Sequence, residues 1–392
     1  MEAPPANVSA AVPTDRRLRI VELAWSGARG GAERSLLDFA GCLDRTRFDC
    51  RFVFLADELW LGPELRRLGF SSESLAWSSP RSLAGRARMV RRLACLRPDV
   101  IHDHVLPTFT RGLLAARFPD VARISTDHGV APILDVQGAR FRAALYGWDF
   151  RRAHRIVVHS HAMARLATRL FRPLADQLAE VPLGTAITVD PLPARLPDGT
   201  YRIGFLGRIQ NFHKGLDVLL RALALMRRDD RGSVQLLAAG DGPDRDAGEA
   251  LAASLGIGSD VRFLGWTDDK LAFFRQIDVL AVPSRLEPFG LVALESLAAG
   301  RTVVASAVGG LVEIAAAIPG IRLSAPNDPR AFADALWAAK DGMRGYRAAE
   351  AAQMVVERFG AQTMTRRLEA LYVETIASLR RAHARGGGSA AR

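Results

Sequence analysis

The chain has 392 residues, 49% hydrophobic and 24% charged, too many for one ordinary compact core and comfortable for two α/β domains. That balance excludes global disorder, and no apolar run approaches the roughly 20 residues that a membrane-spanning helix needs. The formal net charge is +11, yet only three of the 53 cationic residues are lysines (Lys214, Lys270 and Lys340). The arginine excess therefore reads as a compositional habit, spread along the chain with a tilt toward the N-terminal half. It favours anionic partners in general: nucleotides, membrane surfaces or nucleic acid. Met1 to Val12 carries an acid and two adjacent prolines with no basic segment ahead of an apolar stretch, so no signal peptide is expected. The three cysteines, Cys42, Cys50 and Cys95, lack metal-ligand spacing and suggest a reduced, cytoplasmic protein with small buried thiols.

Residues 1–15 read as a loose tail and Arg385–Arg392 as a flexible end. Between them, short apolar strands alternate with amphipathic helices, the pattern of parallel sheets. In the first half, strands are predicted at Leu18–Ala24, Cys50–Leu55, Asp99–His102, Arg123–Thr126 and Arg155–His159. Helices are predicted at Gly31–Leu43, Gly62–Leu68, Leu83–Leu96 and His161–Leu170. The second half repeats the theme, with strands at Tyr201–Leu206, Val234–Ala239, Val261–Leu264, Val279–Val282 and Thr302–Ala305. Four prolines and two glycines between Pro182 and Gly199 mark a linker. The expected division is an N-terminal domain over 15–185, a linker over 186–199, a C-terminal domain over 200–361 and a last helix over 362–383. Two such units place a cleft between them, and ligands of open α/β sheets sit beyond the strand C-termini, at helix N-termini.

Three strand-end loops carry the chemistry. In Gly27-Ala28-Arg29-Gly30-Gly31-Ala32-Glu33, adjacent glycines and free helix-start amides suit an anion, and a plain tight turn fits equally. The loop Gly207-Arg208-Ile209-Gln210-Asn211-Phe212-His213-Lys214-Gly215 sets a guanidinium and an ammonium beside a helix start, as a diphosphate requires. It lacks the G-x-x-x-x-G-K-[ST] pattern, which disfavours a P-loop NTPase. In Pro283-Ser284-Arg285-Leu286-Glu287-Pro288-Phe289-Gly290-Leu291, Pro288 suits a first helical turn, leaving the amides of Phe289, Gly290 and Leu291 as unpaired donors. Glu287 and Glu295 then lie about 12 Å apart by helix rise. That exceeds the ~5–9.5 Å of a glycosidase acid/base pair and suits two grips on an extended ligand, one on a sugar and one on a ribose.

The E-x7-E spacing of Glu287 and Glu295 does not stand alone. With the G-R-x5-K-G loop, Ala239-Gly240-Asp241-Gly242-Pro243, Phe263-Leu264-Gly265-Trp266 and Gly309-Gly310, the chain resembles the retaining glycosyltransferases of family 4 (glycosyl transferases group 1), with the GT-B fold. The resemblance runs from about Arg19 to the C-terminal helix and is most specific at 283–310 and 203–216. It implies two Rossmann-like domains whose parallel sheets face a central cleft. It also implies that Glu287 and the amides of Phe289, Gly290 and Leu291 hold the donor sugar and diphosphate. Arg208 and Lys214 would stabilise the departing diphosphate, Glu295 would hold the ribose, and Gly265 and Trp266 would lie beside the base. Gly30 and Gly31 would close on the phosphates or acceptor. His128, in Ser125-Thr126-Asp127-His128-Gly129, looks like the family's cleft histidine that contacts the donor sugar, with a local turn histidine as the alternative. His102-Asp103-His104 looks like the family's H-x-H, expected to support the cleft rim without binding metal, since no further ligand cluster accompanies it. Where the family has P-N-G or P-S-G, this chain has Pro182-Leu183-Gly184-Thr185.

The implied reaction is front-face transfer, from a nucleotide-diphosphate sugar to a hydroxyl, of a hexosyl or N-acetylhexosaminyl group. The leaving diphosphate would take the acceptor's proton, with no metal or other cofactor. Each charged contact to the leaving group is then worth on the order of 2–4 kcal/mol of barrier. The acceptor is a glycan, a lipid-linked saccharide as in lipopolysaccharide assembly, or a small glycoside. Arg86, Arg88, Arg91 and Arg92 on helix Leu83–Leu96, with Leu83, Met89, Val90 and Leu93, make an anionic membrane a candidate partner at the inner face, and an ordinary amphipathic helix the alternative. A nucleotide-sugar epimerase of the same fold and a non-catalytic nucleotide-sugar binder are the rival readings. Few aromatics, no RNA module and no concentrated basic run argue against nucleic acid.

Overall fold

The computed structural model describes residues 16–131, 133, 140–174, 176–187, 191–193, 198–342 and 345–387. The N-terminal tail, much of the predicted linker and the end of the chain after residue 387 lie outside the described residues. Two compact units result: unit 1 takes in residues up to 159, 163–182 and 361 onward, and unit 2 takes in 160–162 and 183–360.

Unit 1 is a seven-stranded sheet ordered β3-β2-β1-β4-β5-β6-β7, parallel at every pairing. Its strands are β1 (Leu18–Ala24), β2 (Phe48–Phe54), β3 (Ser71–Ser74), β4 (Val100–His104), β5 (Ala122–Thr126), β6 (Arg155–Val158) and β7 (Leu178–Glu180). Helices α1 (Gly31–Cys42), α2 (Leu61–Arg67), α3 (Leu83–Leu96), α4 (Thr110–Arg117), α5 (Arg140–Phe150) and α6 (His161–Phe171) intervene. One core gathers Val21, Leu23, Val53, Ile101, Met89 and Leu93; another gathers Phe150, Ile156, Met163 and Phe171.

Unit 2 is a six-stranded parallel sheet ordered β10-β9-β8-β11-β12-β13. Its strands are β8 (Thr200–Leu206), β9 (Ser233–Ala239), β10 (Val261–Gly265), β11 (Val279–Val282), β12 (Thr302–Ser306) and β13 (Ile321–Ser324). The helices are α7 (Asn211–Lys214), α8 (Leu216–Arg228), α9 (Arg245–Ser254), α10 (Lys270–Arg275), α11 (Leu291–Ala298), α12 (Gly310–Ala317), α13 (Pro329–Gly342) and α14 (Ala348–Phe359). The final helix, α15 (Ala361–Gly387), returns to unit 1. There it packs on α1: Ser35 Oγ reaches Met364 Sδ at 3.4 Å, and the Asp44 amide donates to Glu369 at 2.9 Å. The helix takes in Arg385 to Gly387, where a flexible end was expected.

Strands β3, β7 and β13 escape the apolar-run criterion because each is a sheet edge. β3 reads Ser-Ser-Glu-Ser, with none of its residues buried. A central strand is buried on both faces and reads as a continuous apolar run; an edge need not. Helices α4 and α5 are also unforeseen. The thiols differ from expectation too: Cys50 is buried, Cys42 half-buried and Cys95 exposed, because Cys95 falls on the outer side of α3 while Leu93 and Leu96 face in. Among the described residues no helix is long and apolar enough to cross a membrane.

Candidate active site

In unit 2 the ends of neighbouring strands are stitched together by backbone. After β8, the Gly207 amide donates to Ala239 at 3.0 Å and the Ile209 amide to Asp241 at 2.8 Å; the Gly240 amide donates to Gly265 at 2.7 Å. A Cβ on Gly240 would stand 1.9 Å from the Gly207 carbonyl oxygen, and one on Gly242 would stand 2.2 Å from that of Ile209. These glycines are demanded by strand-end loops lying one against the next.

The loop after β11 joins the same set. The amides of Arg285 and Leu286 donate to the His213 carbonyl at 2.8 and 3.2 Å. Arg285 grips Asp217 with both terminal nitrogens, at 2.7 and 2.8 Å. Gly215 turns at φ +63° between α7 and α8, where a Cβ would meet the Pro283 carbonyl at 2.2 Å. The G-R-x5-K-G and E-P-F-G segments are therefore one folded piece. Within it Lys214 Nζ lies 2.8 Å from Glu287 Oε2, which also accepts from Ser284 Oγ at 3.0 Å. Glu287 is 8% exposed, so the pair is partly desolvated. Arg208 projects outward, and its guanidinium carries no hydrogen bond or ion pair to a described residue.

Helix α11 begins at Leu291, with Gly290 as its N-cap at φ +112°. Pro288 is therefore in the preceding turn and not in the first helical turn, so the distance between Glu287 and Glu295 is not set by helix rise. The two carboxylates have separate partners: Glu295, 3% exposed, pairs with Lys270 at the start of α10. No described residue accepts a hydrogen bond from the amides of Phe289, Gly290 or Leu291. The Phe289 ring is buried against Phe359. Gly309 and Gly310 close the arrangement: a Cβ on Gly309 would stand 1.9 Å from the Glu287 carbonyl oxygen, and the Gly310 amide donates to that oxygen at 3.2 Å. Gly265 turns at φ +71°, and Trp266, 44% exposed, donates from Nε1 to Asp268 at 3.0 Å.

Lys270 was not singled out from the sequence, although it carried the same signal as Lys214, a lysine in a chain that otherwise uses arginine. The third lysine, Lys340, lies 5.5 Å from the ring centre of Tyr201 and 5.0 Å from that of Trp337.

In unit 1, Gly30 caps α1 in extended conformation and Gly31 is its first residue. A Cβ on Gly31 would meet nothing within 4 Å; on Gly30 it would meet the flexible Glu33 carboxylate. Gly27 is the sterically required glycine of that loop, since its Cβ would stand 2.0 Å from the Glu58 carbonyl oxygen. The arginines of α3 turn back onto unit 1. Arg86 donates to Thr108 and Thr110, Arg88 to the carbonyls of Leu75 and Ala76, and Arg92 to Glu73. Arg91 is exposed, as is Leu83.

Strand alternation sends His102 and His104 of β4 to one face and Asp103 to the other. Asp103 meets the buried Arg111, whose Nη2 stands 2.7 Å from Asp103 Oδ1 but out of line for a hydrogen bond; Asp149 lies 3.5 Å from Nη1. On the opposite face, β1 brings Glu22 into register with His102. His104 Nε2 is 2.7 Å from Glu22 Oε2, and His104 Nδ1 is 2.8 Å from His128 Nε2. His128 Nδ1 is 3.2 Å from His159 Nε2, whose Nδ1 donates to the Val181 carbonyl at 2.9 Å. His102 Nδ1 is 2.8 Å from Tyr372 Oη on α15, which donates to Glu22 at 2.9 Å.

The H-x-H pair thus lies in the interior of unit 1, with His102 1% and His104 6% exposed, and not at a rim. A companion acid does accompany it: donor atoms of Glu22, His102 and His104 lie within 4.8 Å of one another. Their 2.7 Å approach is a hydrogen-bond length, shorter than the about 3.3 Å that separates two ligands around a tetrahedral ion with 2.0–2.1 Å bonds. Burial disfavours ionised Glu22, yet the charges and hydrogen bonds of His102 and His104 bring its carboxyl below the ordinary range. Burial pushes the imidazoles of His104 and His128 down, and that of His159 to about 4. Both ring nitrogens of His128 are occupied inside unit 1.

The sequence matches two family models, Glycosyltransferase Family 4 over residues 29–186 and Glycosyl transferases group 1 over residues 200–339. The chain belongs to the family 4 glycosyltransferases. A glycogen synthase of Mycobacterium tuberculosis is 32% identical to this family 4 chain over 261 residues, 62% of each protein. A D-inositol 3-phosphate glycosyltransferase of Salinispora arenicola is 33% identical over 275 residues, 62% of the chain and 61% of the relative. The chain thus spans a little over three-fifths of the length of these relatives. Among solved structures, Anabaena HepE in complex with UDP and glucose superposes with a TM-score of 0.77 at 21% identity, covering 92% of the chain and 100% of HepE. Sucrose-phosphate synthase from Thermosynechococcus elongatus superposes at 0.74 and 21% identity, covering 92% and 100%. The family 4 chain accordingly has the α/β fold of two Rossmann-like, parallel-sheet domains known as GT-B.

Proposed function

We propose that this family 4 protein transfers a hexosyl or N-acetylhexosaminyl group from a nucleoside-diphosphate sugar to a hydroxyl acceptor, with retention of configuration. The observation that carries this reading is the folded loop set of unit 2, where the amides of Phe289, Gly290 and Leu291 lack acceptors beside the Lys214–Glu287 pair. Backbone donors at a helix start, with fixed cations nearby, are what a diphosphate uses and what charge on a departing diphosphate needs. In this reading Arg208 and Lys214 stabilise the leaving group, Glu287 holds the donor sugar, Glu295 the ribose, and Gly265 and Trp266 flank the base. Gly30 and Gly31 approach the phosphates or acceptor, and His128 lies near the donor sugar.

Front-face displacement is supported by the state of the two glutamates. Each is tied to a lysine, which in this reading fixes it as a grip on the donor's hydroxyls and not as a nucleophile. The leaving diphosphate then takes the acceptor's proton, and fixed cations do the work that a metal would otherwise do. That HepE has been crystallised with UDP and with UDP-glucose supports a nucleotide-sugar donor here. The relatives named above differ in their acceptors, so the acceptor class stays as broad as a glycan, a lipid-linked saccharide or a small glycoside. Three of the four α3 arginines are occupied within unit 1, which weighs against α3 as a lipid-binding face.

The test is a thermal-shift screen against UDP-, GDP-, ADP- and dTDP-sugars with EDTA present. One donor should raise the melting temperature, and Arg208→Ala should abolish that shift without lowering the melting temperature of the free protein. No stabilisation by any donor counts against the reading; stabilisation only when magnesium replaces EDTA removes its metal-free part.

A further inference from the structure

The buried chain from Glu22 to Val181 has a proton count that three neutral histidines cannot meet. Four links run in series: Glu22 to His104, His104 to His128, His128 to His159, and His159 to the Val181 carbonyl. Each link needs one hydrogen. A carbonyl can only accept, and so can an ionised carboxylate, so the chain begins and ends on acceptors. A neutral imidazole carries one N–H, and three of them fill three links. The side branch is balanced by comparison. Tyr372 donates to Glu22, its oxygen lies 2.8 Å from His102 Nδ1, and His102 Nε2 lies 2.7 Å from the Thr126 hydroxyl, which can donate or accept to suit the ring.

Charge leads to the same place. Glu22 is 1% exposed, and among the described residues no lysine or arginine pairs with it; its ionic partners are His102 and His104. A buried carboxylate without a countercharge costs several kcal/mol. Beyond these histidines, the surrounding ionisable groups do not supply one. Cys50 on β2 and Tyr372 on α15 are kept neutral by burial. Asp103 points to the other face toward Arg111, Asp127 is held by the amides of Gly129 and Val130, and Glu369 on α15 is itself acidic.

We propose that Glu22 loads one additional proton onto the His104–His128–His159 chain, so that the four residues are together neutral and the half-buried His128 shares a positive charge. Burial drives each ring toward its neutral form; the fourth link and the Glu22 charge oppose it, and a proton satisfies both. Glu22 is then a positioning residue that acts through His128. A consequence that rests on the transferase reading is that His128, with both nitrogens engaged, serves the donor by its charge and not as a general acid.

The experiment is long-range proton–nitrogen NMR on the full-length protein with 15N-labelled histidine at pH 7.5, comparing wild type with Glu22→Gln. A glutamine amide can donate to His104 Nε2 and still accept from Tyr372, so the variant completes the chain with three neutral rings. Four protonated ring nitrogens across His104, His128 and His159 are expected in the wild type, and three in Glu22→Gln. Three in the wild type overturns the proposal without any variant. Four retained in Glu22→Gln overturns the role of Glu22, and a stoichiometric metal ion in the purified protein by elemental analysis overturns the proton in favour of an ion. None of these readings needs a donor, so a failed donor screen removes the consequence for His128 and leaves the proton count standing.

Discussion

The two units use polar residues in opposite ways. Unit 2 keeps them near the strand ends, where Lys214 meets Glu287 and Arg285 meets Asp217, each pair tying one strand-end loop or helix start to another, and where Lys270 at the start of α10 meets Glu295 within α11. Unit 1 runs them through the middle of its sheet, with Glu22, His102 and His104 on one face of β1 and β4, and Asp103, Arg111 and Asp149 on the other. Polar groups at loop ends can exchange a protein partner for a ligand at small cost, whereas those inside a sheet must be satisfied internally or destabilise the fold. Substitutions in unit 2 should therefore damage chemistry, and those in unit 1 stability.

The largest expected effect tests the unit 1 side. Arg111→Met removes a 2%-exposed guanidinium and strands Asp103 and Asp149, at a cost of about 3–5 kcal/mol. Urea unfolding should show this loss in the transition reporting on unit 1; a change under 1 kcal/mol would mean that the buried charges have other compensation. Next is Arg208→Ala in unit 2, which touches no described partner. Its kcat should fall by about 10²–10³ while the melting temperature holds. Lys214→Ala should lose as much turnover and some stability as well, because among the described residues it leaves the buried Glu287 side chain with Ser284 alone.

Gly309→Ala is intermediate and crosses the comparison. Its φ of +52° and the 1.9 Å approach to the Glu287 carbonyl should cost about 1–3 kcal/mol of stability and also shift Glu287. Thermal denaturation and a donor KM would both move. The smallest effect overall is expected for Gly31→Ala, whose Cβ enters open space within the protein. Stability should change by less than about 1 kcal/mol. If the ligand approaches this helix start, donor or acceptor KM should rise nonetheless; an unchanged KM would reduce the Gly30–Gly31 loop to a turn.

Much of the fold was legible because parallel strands buried on both faces announce themselves as apolar runs. β1 and β11 fall on their predicted residues, Leu18–Ala24 and Val279–Val282. The edge strands β3, β7 and β13 gave no such signal, for the converse reason. At the site, motif spacing located the loops but not their partners. Pro288 suggested a helix start three residues early because a proline fits a first helical turn and equally the bend before an αL cap. Lys270 was given no role because it faces Glu295 across 25 residues of chain. Glu22 was harder still, being a lone acid in an apolar strand whose meaning depends on which strand lies alongside.

The Tyr372–Glu22 hydrogen bond joins residues 350 positions apart, and this bears on the order in which the molecule is made. A chain emerging from the ribosome normally folds its first domain while the second is still being synthesised. Here β1 carries a carboxylate that must be buried, and the phenol that covers it is made 350 residues later, after the whole of unit 2. During the interval the first unit holds its sheet but lacks α15, and hydrogen exchange in β1 and β4 of nascent or truncated chains ending near residue 360 should be faster than in the finished protein. Unit 1 is completed only after the chain of unit 2 has been made.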